Sequence, residues 1–104
     1  MDDIKHIDDP LFKSEVREGM RVDWDVPIEM DDGVVLRANV YRPDDEGQYP
    51  VIMAHGPYGK DLHFEEIYKT CWDLMCENHP DVPAGSTNIH QAWEVADPEK
   101  WVPH

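Results

Sequence analysis

Six consecutive residues, His55-Gly56-Pro57-Tyr58-Gly59-Lys60, concentrate the reactive side chains and the backbone punctuation of this chain. They follow an apolar run, Tyr49-Pro50-Val51-Ile52-Met53-Ala54. A loop leaving the C-terminal end of a central strand is where mixed α/β proteins place electrophile-stabilising groups. Cleavage of an ester or amide passes through a tetrahedral oxyanion. Each preorganised donor aimed at that oxygen is worth about 2.7–4 kcal/mol of barrier. Tyr58 offers such a donor, because a phenol keeps its proton at neutral pH. Pro57 and Gly59 fix the backbone around it, and Gly56 permits a sharp exit from a strand. Residue types alone leave a plainer reading open, in which Tyr58 is an aromatic packed at a turn.

A nucleophile to match that donor is missing from these residues. The only serines are Ser14 and Ser86, and neither lies in a Gly-x-Ser-x-Gly turn. The segment therefore reads as half of an oxyanion hole without the attacking hydroxyl. Without an elbow serine, none of the histidines has a hydroxyl to activate. His55, directly after the apolar run, reads as a hydrogen-bonded structural residue. His63 and Glu66, three apart, would supply two metal ligands on a helix. The six histidines at 6, 55, 63, 79, 90 and 104 include no H-E-x-x-H pair. They read as solvated or capping groups, and no metal or cofactor is expected. Asp44-Asp45-Glu46 lacks the alternating oxygen ligands and distal glutamate of a calcium loop and reads as solvated.

The elements that must position these residues follow from periodicity. Val22, Trp24, Val26, Ile28 and Met30 alternate with polar residues and Pro27, which predicts a half-buried strand. Pro27 demands an edge position or a bulge. Asp31-Asp32-Gly33 predicts a hairpin, with a return strand over 34–41. The loop 42–47 follows from its Pro, Asp and Gly content. Residues 51–54 form a continuous apolar run, as expected of a third strand covered on both faces. Phe64, Ile67, Tyr68, Cys71, Trp72 and Met75 share one stripe and predict a helix over 62–77, capped by Asp61. Gln91 to Val95 is expected to add a turn of helix. Asp97-Pro98 reads as the cap and first residue of a final turn. Residues 1–19 form a polar leader, either a short helix from Asp9-Pro10 to Gly19 or unstructured. Residues 20–104 form the folded segment.

Composition bounds the function. The chain has 104 residues, 23 acidic against 9 basic, and a net charge of −14. Nucleic acids and anionic membranes require a cationic face, so neither is an expected partner. Cys71 and Cys76 are five apart, about 140° around a helix, which disfavours a disulfide and reads as two core thiols. The four tryptophans are expected in packing. The N-terminus has neither the basic start nor the apolar stretch of a secretory signal, so a cytoplasmic location is expected. No segment approaches the roughly 18–20 apolar residues that span a bilayer.

The order of these features resembles the opening of the CocE/NonD hydrolases, the cocaine-esterase and X-Pro dipeptidyl-peptidase-like group of α/β-hydrolases. The hairpin from Val26 to Pro43 carries that group's "DG", "L-x-A" and "Y-R-P" elements. Gly56-Pro57-Tyr58-Gly59-Lys60 resembles its oxyanion-tyrosine segment. Trp93-Glu94 and Asp97 to His104 resemble the stretch before its next strand. The resemblance covers about residues 20–104. It implies the N-terminal part of an α/β-hydrolase sheet, apparently truncated, with Tyr58 as the one catalytic residue present. The implied substrates are small-molecule esters, amides or peptides, including X-Pro peptides, cleaved through an acyl-enzyme by the complete enzyme. The serine, aspartate and histidine of that chemistry would lie beyond residue 104, so the chain alone is expected to be inactive. The alternative is an acidic binding module with no chemistry.

Overall fold

Two tight turns generate the sheet. Glu18 and Gly19 both take positive φ (49° and 76°), which makes a two-residue turn whose twist suits a hairpin. This turn joins β1 (Lys13–Arg17) to β2 (Met20–Glu29), with Arg17 opposite Met20. The second turn is Asp31-Asp32-Gly33. The Gly33 N–H donates to the Met30 carbonyl (2.9 Å), and the Met30 N–H donates to the Val34 carbonyl (2.8 Å). Asp32 Oδ1 accepts from the Val34 N–H, and Gly33 at φ 85° supplies the left-handed residue that a three-residue hairpin loop needs. The return strand is β3 (Val35–Pro43). The sheet is antiparallel throughout, in the order β1-β2-β3. The structure, a computed structural model, describes residues 9–57 and 59–104. The chain divides into two compact units, Met1–Glu46 and Gly47–His104.

β2 does not keep one apolar face along its length. Asp23 pairs with Val40 and Val26 with Ala38, so Trp24 and Asp25 together oppose Asn39. This is a β-bulge. Asp25 has φ 57°, and its N–H donates to Asn39 Oδ1 (3.2 Å). The register consequently places Met20, Val22 and Trp24 on the face of Tyr41. Val26 and Ile28 share the other face with Leu36, Ala38 and Val40. The alternation over 22–30 was expected to stay on one side; the bulge reverses it midway. Pro27 fits because β1 pairs only with residues 20–24. Counting from the bonded Met30–Val34 pair, Pro27 falls at a non-bonded position, with its missing donor facing the open side of β2. The strand is central, but Pro27 stands in its uncovered half, just past the bulge.

β1 replaces the expected helical or unstructured leader over 13–17. The signal for a helix was the Asp9-Pro10 start with Gly19 as its end, but Gly19 is instead the second turn residue of a hairpin. The Asp9 carboxylate still acts as a local cap, accepting from the Leu11 N–H (3.0 Å).

In the second unit, α1 (Phe64–Ile67) and α2 (Lys69–Asn78) replace the single helix expected over 62–77. The break is Tyr68, at φ −118° and ψ 52°. Its ring packs on Trp93 (4.9 Å between centroids) and Phe64 (6.3 Å), and this tertiary packing overrides a continuous apolar stripe. Phe64 also meets Trp72 (5.4 Å) and Trp93 (4.9 Å). Trp72 is the buried centre of α2. The Phe64 N–H donates to the Gln91 carbonyl (2.9 Å), tying the start of α1 to the segment that carries Trp93. His63 precedes α1 in the cap position without a side-chain cap bond, and Asp61 pairs with Lys60 instead (2.7 Å). Cys71 is exposed and Cys76 half-buried, both as free thiols, so Cys71 is not the core residue expected. Residues 91–95 form a turn and no helix. α3 (Pro98–Trp101) starts as expected: the Glu99 N–H donates to Asp97 Oδ1 (3.1 Å), with proline at the first position.

The expected third strand is absent. Residues 51–54 run as irregular chain, and Val51, Ile52 and Met53 are 84, 62 and 80% exposed. A strand with two apolar faces needs ladder partners and covering layers. Among the described residues nothing pairs with this run, and the outer edge of β3 also has no strand beside it.

Candidate functional site

The corner that sequence reasoning singled out begins where that exposed run ends. Tyr58 lies outside the described residues. The residues flanking it are described. Gly59 carries the left-handed backbone of the corner (φ 83°). Its carbonyl accepts from the Leu62 N–H (3.3 Å), closing a turn that leads to α1. A Cβ on Gly59 would lie 2.9 Å from Leu62 Cδ1 and 3.0 Å from Cγ. The left-handed backbone is what favours glycine there, since the exposed Leu62 side chain can turn aside. His55 is exposed, as are Gly56 and Pro57.

Neither serine is presented as a nucleophile. Ser14 Oγ donates to Asp23 Oδ1 within the sheet. Ser86 Oγ donates to Glu99 Oε2 (3.1 Å) and accepts from the Asn88 N–H (3.0 Å). Glu99 also accepts from Thr87 Oγ1 (2.6 Å) and from the Thr87 N–H (3.2 Å). Burial pushes the Glu99 carboxyl up. The Thr87 and Ser86 donors, with the charge of His90, outweigh it and hold the group below its ordinary range. A carboxylate is a poor base for an alcohol, and this one is engaged by three donors, so the Ser86–Glu99 pair is a structural clasp. Lys100 completes it: its Nζ donates to the carbonyls of Asp81 (2.8 Å) and Val82. The two side chains of α3 thereby hold the 80–88 loop.

A second polar network sits in the sheet. Asp23 has no exposure, and its Oδ2 accepts from Arg42 Nε (3.1 Å). Arg21 pairs with Asp44 (3.0 Å) and reaches Ser14 Oγ at 3.5 Å. Arg37 bridges Asp9 (2.6 Å) and the Asp25 carbonyl of the bulge (3.1 Å). The Arg37 hydrogen bond, followed by the Leu11 N–H, holds the Asp9 carboxyl below its usual value. Sequence reading missed both networks. The only signal for the sheet network was the presence of Asp23 and Arg37 within expected strands, where an ionic side chain needs either solvent or a partner.

Among the described residues no group of three or more His, Cys, Asp or Glu could hold an ion. No helix among them is long and apolar enough to cross a membrane. An open groove of about 490 Å³ in the second unit is lined by Phe64, Met75, Val82, Val95 and Trp101, with Asp97 and Gln91 among its polar groups. It includes none of residues 55–60. Gln91 Nε2 donates to Asp97 Oδ2 (3.3 Å), so these two buried groups satisfy each other.

Comparison with known proteins gives one finding. Residues 32–75 match the family model of the X-Pro dipeptidyl-peptidases (S15 family). The match opens in the hairpin turn and runs through β3, the exposed apolar run, the corner with Tyr58, α1 and most of α2. It covers less than half of the chain. No curated protein and no solved structure matches the chain.

Proposed function

We propose that this chain carries the N-terminal part of an α/β-hydrolase sheet. The complete enzyme is a serine hydrolase of the X-Pro dipeptidyl-peptidase and cocaine-esterase type. The observation that supports this most is the family match over 32–75, because it contains the corner whose Tyr58 could supply an oxyanion donor. In this reading the substrate is a small ester, amide or X-Pro peptide. A serine hydroxyl adds to the acyl carbonyl while a histidine, oriented by an aspartate, takes its proton. The carbonyl oxygen becomes the oxyanion, held by the Tyr58 hydroxyl and by the backbone N–H after the serine. Collapse expels the leaving group with the histidine's proton, and water then releases the acyl group. Tyr58 is the one member of this machinery among the 104 residues, so the chain by itself is inactive.

The test has two arms. The purified chain is incubated with a p-nitrophenyl ester, an X-Pro p-nitroanilide and a fluorophosphonate probe. No turnover and no labelling above a heat-denatured control is expected; turnover would overturn the inactivity. The gene is then read past the codon for His104. An open frame reaching an apolar strand and a Gly-x-Ser turn supports the hydrolase. A stop with no such frame favours the second reading, an acidic binding module. The closed polar networks of both units, which hold Ser14 and Ser86 in structural bonds, lend that module some support.

A further inference from the structure

We draw no further inference here: the strongest candidate, the exposed apolar run at 51–54 in the second unit, is an unpartnered apolar surface, and nothing in the structure shows what covers it.

Discussion

Asp23 illustrates what a single residue contributes to this sheet. It is fully buried between Ser14 and Arg42, and both of its oxygens are engaged. Removing one member of a buried ion pair strands the other, at a cost of about 3–5 kcal/mol. Arg42 retains 23% exposure and can recover some hydration. Asp23→Ala should therefore lose about 3 kcal/mol, at the lower end of that range. Asp44→Ala breaks a half-exposed pair with Arg21 and should lose less than about 1 kcal/mol. Urea midpoints of the two variants check the contrast, and equal losses would show that Asp23 is hydrated in solution. The prediction for Tyr58 is kinetic. If the proposed hydrolase reading holds, Tyr58→Phe in a complete serine hydrolase carrying this segment removes one oxyanion donor while keeping the ring. The expected loss is about 10²–10³-fold in kcat with KM nearly unchanged. A change confined to KM would make Tyr58 a packing residue, the plainer of its two readings.

Elements show where the sequence could be read and where it could not. The Asp31-Asp32-Gly33 hairpin was legible because its geometry is fixed by residues within four positions of each other. The single turn at Asp97-Pro98 was legible for the same reason. Pro27 announced an edge or a bulge, but the place of the bulge was hidden, because Trp24 and Asp25 preserve the alternation of residue types while the backbone changes face. The break at Tyr68 was hidden too, since it is set by Trp93, a residue 25 positions away by number. Of the candidate site, a turn over 56–60 was visible in its Gly and Pro content, although no strand leads into it, whereas the clasp on Glu99 was not visible. Its donors, Ser86 and Thr87, sit in a loop whose composition says only that it turns.

That clasp makes a pH prediction. Glu99 in the folded chain titrates below its ordinary value of 4.5. A carboxylate depressed in this way contributes stability in full above its unfolded value. The contribution is lost as pH falls through the folded value. The Thr87 amide proton, bonded to the carboxylate, should shift as pH is lowered below 4.5, and not before. Glu99→Gln should abolish that titration and leave the 86–88 loop loosened at neutral pH. NMR of the Thr87 amide reads both effects, and an unchanged titration in the variant would assign it to another group.

At the scale of the molecule, charge and apolar exposure oppose each other. The net charge of −14 keeps copies of the chain apart. The run Val51-Ile52-Met53, flanked by a half-exposed Tyr49, is a surface that water disfavours and other apolar groups favour. Repulsion between copies acts over roughly 30 Å at 10 mM salt but only about 8 Å at 150 mM, whereas apolar attraction is hardly screened. Raising salt should therefore increase light scattering and dimer content, and the chain should bind a hydrophobic dye throughout. The double variant Val51→Thr, Met53→Gln leaves the charge untouched while removing apolar surface. It should lower both dye fluorescence and salt-induced scattering, each by more than half. If scattering falls with salt, or if the variant behaves like the parent, then residues 51–53 are covered in solution. The run would then have found the burial that its composition demands.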